Sequence, residues 1–435
     1  MIRLQCHVDP ATIPPTDQPG VVHVYLYGSQ PARPGSGSIG NQAKAALLRL
    51  GVAPRTAAVD LLSLSLAVTA ADTFLPRSDA DDSWARDIEL HVPLSRPQQW
   101  EPVKSDLERM LRFLTGDKWR LVLSEGGRPA PTQFEVNTRR NGADISKADF
   151  VSLFSGGLDS GVATLAAMSR GERPLLVSHA YRGDADYQDA VAALLPSPPE
   201  RLALNANPEM DCAHDTSMRS RSFNFLALGI LAADTISGFR NRTIELRVPE
   251  NGLIALNPPL TPRRIGSLST RTTHPHYLSS LQTIVDRVGL RAAIINPFEA
   301  VTKGEMVRSM ASHAGFETFA RSTVSCGKWK RTNQQCGRCV PCLIRRASLY
   351  VADVDDKTAY AHPDLLAVLA DEDNRDDLLS MMTAVLRARG NRLAQWVAHS
   401  GPMPVDAERR AGLNDVVRRG LAEVGVFLRD TGLRV

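Results

Sequence analysis

The sequence predicts an α/β protein: a doubly wound parallel sheet, with a small N-terminal α/β or α+β domain in front and a helical extension behind. Three observations lead there. Residues 148–350 alternate apolar strand-like runs with helical stretches. A glycine turn, SGGLDS at 155–160, stands between the first of these runs and the helix that follows. From residue 354 onward helical patterns dominate.

The front region, 1–145, opens with VVHVYLY (21–27), which reads as a strand, followed by a Gly/Pro/Ser loop over 30–40. Residues 41–50 and 56–74 read as helices, the second strongly apolar. A strand over 87–94, an amphipathic helix over 100–116 and a strand over 119–125 follow. The turn-rich 128–142 reads as a linker. In the second region, 146–353, strands are expected at 148–154, 174–179, 201–205, 242–248 and 291–295. Helices are expected at 158–170, 185–195, 219–237, 277–288 and 303–314. The third region is 354–435.

Composition narrows the function. Lys plus Arg is 51 and Asp plus Glu 47, a formal charge of +4, which suits an anionic ligand but is too weak for a nucleic-acid partner. No uninterrupted apolar run reaches the ~18–20 residues of a membrane span. The start, MIRLQCHVDP, lacks a basic segment followed by an apolar one, so a cytoplasmic location with reduced thiols is expected. Cys6 and Cys212 stand alone and read as buried small residues.

The glycine turn carries the chemistry. Gly156 and Gly157 let the backbone turn sharply and bring its N–H groups to phosphate oxygens, and the helix start adds partial positive charge. Ser155 and Ser160 offer hydroxyl donors. Asp159 beside a polyanion needs either Mg²⁺ between them or a helix-capping role. The Walker loop is excluded, because its Gly-Lys-Ser/Thr ending is missing. The end of the second strand, Ser178 to Arg182, is a candidate nucleotide edge. Residues 248–277 form a polar, insert-like segment. There Glu250 and Asn251 are candidates to read the N–H edge of a guanine-like base. Arg263, Arg264, Ser269, Thr270, Arg271, Thr272, Thr273 and His274 suit an anion, and a long surface loop is the plain alternative.

Cys326, Cys336, Cys339 and Cys342 give C-x9-C-x2-C-x2-C. Four thiolates can close a tetrahedral Zn²⁺ site with no open position, a structural role, while an iron–sulfur cluster is the rival occupant.

SGGLDS after a strand resembles the PP-loop (adenine nucleotide alpha hydrolase-like) ATP pyrophosphatases. With the cysteine cluster at the far end of the same domain, the chain resembles the 7-cyano-7-deazaguanine synthase (QueC) family. RSRSFNFLALGILAAD (219–234) is similar to that family's Arg-Asn helix, and NPFEAVTKGEMVR (296–308) to its Pro-x4-Lys-x-Glu stretch. The resemblance implies that ATP adenylates the carboxylate of 7-carboxy-7-deazaguanine, that ammonia then gives an amide, and that a second activation gives the nitrile. It implies that Ser155, Gly156, Gly157, Leu158, Asp159 and Ser160 hold the ATP phosphates and Ser178 and His179 the adenosine. Lys303 would meet phosphate charge, or else be a solvated lysine at a helix start. The added regions in front and behind resemble the QueC-like QatC proteins of the Qat anti-phage system. There a partner protein's amine becomes a candidate acceptor beside ammonia. RNA thiolation and a non-catalytic ATP-binding scaffold are the competing functions.

Overall fold

The computed structural model describes residues 2–138, 144–179, 183–211, 215, 219–260 and 271–435. Two five-stranded sheets form, and every strand pairing in both is parallel. The first contains β1 (Ile2–His7), β2 (Val21–Gly28), β3 (Gly37–Gly40), β4 (Asp87–Pro93) and β5 (Lys118–Ser124), in the order β3-β2-β1-β4-β5. The second contains β6 (Phe150–Leu153), β7 (Pro174–His179), β8 (Arg201–Leu204), β9 (Ile244–Arg247) and β10 (Ala292–Ile295), in the order β10-β9-β6-β7-β8. Counted along the chain, both sheets have the same order, third-second-first-fourth-fifth. The front region is therefore α/β rather than α+β. In such a sheet the crevice lies at the carboxyl end of the first strand, where the order reverses. In the second sheet that strand is β6, and SGGLDS follows it.

The helices Thr56–Phe74 and Arg221–Arg240 are the corresponding third-to-fourth crossovers of the two sheets, and they pack on each other. Both are long and apolar enough to cross a membrane by length and composition, yet their apolar windows are 100% and 78% buried inside the fold. Burial on all sides explains why neither is amphipathic. Several of their hydroxyls bond back along the helix: Thr69 Oγ1 donates to Ser65 O at 2.8 Å and Thr73 Oγ1 to Thr69 O at 2.8 Å. Asn224 Nδ2 donates across the interface to Ser65 Oγ at 3.0 Å. One continuous apolar core runs through both sheets and this helix pair.

A buried charge cluster ties the two halves together. Arg86, 1% exposed, donates to Asp72 and Asp117 at 2.7 Å each, and Arg77 reaches the same two carboxylates at 2.9 and 2.7 Å. The other oxygen of Asp72 accepts from Ser220 N at 2.8 Å, one residue before the helix Arg221–Arg240 begins.

Several elements differ from the sequence reading. The opening residues form β1, and the segment read as a loop over 30–40 contains β3. The linker contains a short helix, Gln133–Asn137, started by a Thr132–Glu135 capping box. The helix expected over 303–314 ends at Arg308, and a separate helix, Phe316–Ser322, follows. The tail forms one helix, Ala407–Asp430, whose Leu413, Val416, Val417, Leu421, Val424 and Leu428 pack in a second core with Leu343, Leu378 and Val385.

Candidate functional site

The SGGLDS turn sits at the switch point of the second sheet. β6 ends at Leu153, and the helix Leu158–Ser169 starts directly after Gly157. Gly156 has φ +74°, and a Cβ there would meet the Tyr187 ring at 2.7 Å, so this position excludes side chains on two counts. The loop is tied to itself by its serines. Ser155 Oγ accepts from Gly157 N at 3.2 Å and lies 3.2 Å from Ser160 Oγ, which donates to Gly157 O at 3.2 Å. Ser178 Oγ donates to Phe154 O at 2.7 Å, so this buried hydroxyl supports the base of the loop.

In front of the loop lies a cavity of about 390 Å³, within the range of small-ligand sites. Ser155, Ser160, His179, Glu250, Thr272 and Thr273 line it, together with Arg221, Ser222 and Phe225 from the start of the helix Arg221–Arg240. Arg221 Nη2 lies 2.8 Å from the His179 ring nitrogens and 2.9 Å from Asp184 Oδ2. The sequence alone places Arg221 at the start of a helix and assigns it no role in the site. The available signal was an arginine opening a helix close to a phosphate loop.

Asp159, 5% exposed, stands at the centre of a polar knot. Lys303 Nζ is 2.8 Å from its Oδ1, and Asn251 donates to its Oδ2 from Nδ2 at 2.7 Å and from N at 3.1 Å. Burial is the largest influence on Asp159 and opposes its ionisation, but the Lys303 charge and the hydrogen bonds from Glu250, Lys303 and Asn251 together outweigh it and hold the carboxyl below its ordinary range. Glu250 takes the opposite direction. Burial and the neighbouring Asp159 charge push it well above the ordinary carboxylate range. The two neighbouring carboxyls are thus pushed in opposite directions, Asp159 toward its charged form and Glu250 toward its neutral one, and Glu250 lines the cavity. Lys303 is only 7% exposed, so it is not the solvated helix-start lysine that the sequence left open.

Like Asn251 and Ser178, the candidates Arg271 and His274 bind protein groups and are not among the residues lining the cavity. Arg271 Nη1 donates to Phe113 O at 2.9 Å, and its guanidinium lies 4.4 Å from the centre of that ring. His274, 1% exposed, accepts from His276 N at 3.1 Å as the cap of the helix Pro275–Arg287, and its Nε2 lies 3.2 Å from Ser400 Oγ. Arg263, Arg264, Ser269 and Thr270, like residues 180–182 of the candidate nucleotide edge and Cys212, lie outside the described residues.

Cys326, Cys336, Cys339 and Cys342 converge as the sequence spacing suggested. All four are buried, their sulfurs lie within 4.8 Å of one another, and none is in a disulfide. Two sulfur pairs, 326–339 and 336–342, are 3.9 Å apart. A tetrahedron with metal–sulfur bonds of about 2.3 Å has edges of about 3.8 Å, so a single ion fits this cage. Backbone N–H groups of Lys328, Cys336 and Cys339 each point at a ligand sulfur at 3.3 Å and can offset thiolate charge. Cys6, by contrast, is buried on β1 with its thiol pushed far up by desolvation, as an inert core residue should be.

Fold and site together define a parallel α/β protein with the SGGLDS turn facing a ligand-sized cavity and a buried four-cysteine cluster that could hold a metal ion. Over 68 residues the chain is 40% identical to the 7-cyano-7-deazaguanine synthase of Ruegeria sp., a match covering 16% of this chain and 27% of that protein. Over 71 residues it is 34% identical to the proteins of the same name from Brucella ovis and Brucella canis, covering 16% of this chain and 28% of each. The chain thus spans little more than a quarter of the length of these curated relatives. No family model matches the chain.

Proposed function

We propose that the protein is a QueC-like, ATP-dependent carbon–nitrogen ligase that adenylates the carboxylate of a 7-carboxy-7-deazaguanine-like acid. The observation that carries the reading is SGGLDS at the β6 switch point, opening on a cavity that also receives Arg221 and Glu250. A carboxylate oxygen attacks the α-phosphorus of ATP, and pyrophosphate leaves. The amine nitrogen then attacks the acyl carbon and loses a proton, while AMP departs with the carboxylate oxygen. Ser155, Gly156, Gly157, Leu158 and Ser160 hold the phosphates through N–H and hydroxyl donors. Asp159 holds Lys303, whose ammonium stabilises the charge that develops as pyrophosphate leaves. His179 and the backbone at Ser178 hold the adenosine, and Thr272 meets the acid. Glu250 faces the base, and Asn251 acts on the substrate indirectly by fixing Asp159. Arg271 and His274 shape the segment that carries Thr272. Mg²⁺ enters with ATP. The cysteine cage holds Zn²⁺ in a structural role, since four thiolates leave no open position.

The acceptor is ammonia or an amine of a partner protein encoded in the same operon, in cytoplasmic anti-phage defence. No nucleic acid or membrane takes part. Incubating the full chain with ATP and 7-carboxy-7-deazaguanine, with and without ammonium, tests the chemistry. AMP, pyrophosphate and an amide or nitrile mass are expected, whereas ADP and phosphate would overturn it. Co-expression with operon neighbours and intact-mass measurement tests the protein acceptor. A neighbour should gain a deazaguanine-sized mass. If none does while ammonia is converted efficiently, the protein-acceptor part fails.

A further inference from the structure

Both groups that hold Asp159 stand at the starts of very short helices. Asn251 caps the helix Gly252–Leu256, and Lys303 opens the helix Lys303–Arg308. Helices of five and six residues do not hold themselves together in water, so something else must fix their ends. Both are backed by the same element, the C-terminal helix Ala407–Asp430.

The contact with the Lys303 helix is polar and specific. Glu423 takes a hydrogen bond from Thr302 Oγ1 on one oxygen and accepts from Gly304 N at 3.1 Å on the other, gripping the residues on either side of Lys303. One turn earlier, Arg419 pairs with Glu305 and donates to Ala300 O at 2.8 Å, while Asp415 holds its Nε at 2.7 Å. The approach is close enough that a Cβ on Gly304 would sit 2.6 Å from the Glu423 carboxyl. The contact with the Asn251 helix is apolar. A Cβ on Gly252 would meet Val416 at 2.6 Å, and one on Gly420 would meet Leu253 at 3.1 Å. Glycines thus permit close approach on both sides.

We infer that the helix Ala407–Asp430 sets the position of the Asp159–Lys303–Asn251 knot, with Glu423 as the positioning residue for Lys303. The inference rests on the adenylation reading above. It gives the C-terminal region a part in the chemistry: a rigid splint behind the two residues that fix the loop aspartate. Glu423 touches neither substrate nor the reacting atoms and acts only through the first turn that carries Lys303.

The test compares the full-length wild type with Glu423→Ala, Glu423→Gln and Arg418→Ala. The last is a control, because Arg418 lies on the same helix and pairs with Asp415 only at 3.7 Å on the surface. Pyrophosphate–ATP exchange driven by the acid substrate is measured across pH. Glu423→Ala is expected to lower kcat by about 10- to 100-fold, the cost of a small misplacement of a reacting group, with KM for ATP little changed. Its acidic limb should move to higher pH, because a displaced Lys303 no longer holds Asp159 down. Glu423→Gln, which keeps an acceptor oxygen, should recover part of the rate, and Arg418→Ala should match the wild type. A Glu423→Ala rate within twofold of wild type overturns the inference. So does a loss that only tracks the folded fraction in thermal melts and leaves the acidic limb in place. Failure of the adenylation reading looks different: the wild type itself then shows no exchange.

Discussion

Replacing Arg86 with methionine should destabilise the whole chain, not the front region alone. The side chain is fully buried and bonds to Asp72 and Asp117 at 2.7 Å and to the Leu75 carbonyl at 2.6 Å. In the wild type Arg77 and Arg86 share Asp72 and Asp117 between them, and Asp215 adds a weaker contact to Arg77 at 3.5 Å. Methionine fills much of the volume but leaves two buried carboxylates with Arg77 as their remaining guanidinium. Breaking a buried pair from one side costs about 3–5 kcal/mol, a large share of the 5–15 kcal/mol typical of a folded domain. With a urea dependence of about 3 kcal/mol per molar, the unfolding midpoint should fall by about 1–2 M. Because Asp72 also holds Ser220 N, fluorescence from both halves should lose structure in one transition. Asp117→Asn added to Arg86→Met should recover part of the loss by removing the stranded charge. A midpoint shift below about 0.3 M would refute the reasoning, as would a front region that melts separately while the cavity half stays folded.

Asp159→Ala and Ser160→Ala should each abolish acid-dependent release of AMP and pyrophosphate; Ser160→Ala should leave the melting curve nearly in place, whereas Asp159→Ala strands the buried Lys303 ammonium and should lower it, as product analysis beside thermal melts will show. Cys342→Ser should lower bound zinc from one ion per chain and cost solubility more than catalysis in the soluble fraction, read by elemental analysis. Arg271→Ala should cost stability by removing the Phe113 contact and weaken the acid substrate more than ATP, read by melts and calorimetric titration. His274 is held neutral by burial, with His276 and Arg271 adding to the effect, and titrates at about 3 instead of its ordinary 6.5. The unfolded chain therefore binds a proton that the folded chain does not as pH falls from 6.5 toward 3. Stability from this group is fully present above 6.5 and drains through that window at up to about 1.4 kcal/mol per pH unit. His274→Asn, which can still cap the helix, should flatten urea midpoints measured between pH 7 and pH 5.

What the sequence made legible was local. The glycine turn needs a strand before it and a helix after it within about twenty residues, and the cysteine spacing is a metal signature within seventeen; the structure assembles both. Strand β3 was not legible, because GSIG contains one apolar residue and is buried by distant partners. Ser38 N and Gly40 N donate to the Glu209 and Ala206 carbonyls, and a Cβ at Gly37 would meet the Phe74 ring at 2.7 Å. The apolar run 56–74 was visible, but its reason, a matching helix from the other sheet, belongs to topology. The polar segment before 277 read as ligand-binding by its residue types. Its Arg271 and His274 instead meet Phe113 and Ser400, contacts that no local pattern encodes. The Asp159–Lys303 pair and the Glu423 grip also join residues far apart in the chain, so sequence suggested their importance singly and never their geometry.

The most direct test of the adenylation claim follows the oxygen. If the acid substrate carries oxygen-18 in its carboxylate, one labelled oxygen must bond to the α-phosphorus and leave with the nucleotide when the amine takes the acyl group. Mass spectrometry of the nucleotide product, with ammonium as acceptor, is predicted to show AMP carrying one oxygen-18 atom and unlabelled pyrophosphate. Unlabelled AMP, or ADP with the label in inorganic phosphate, would contradict the account.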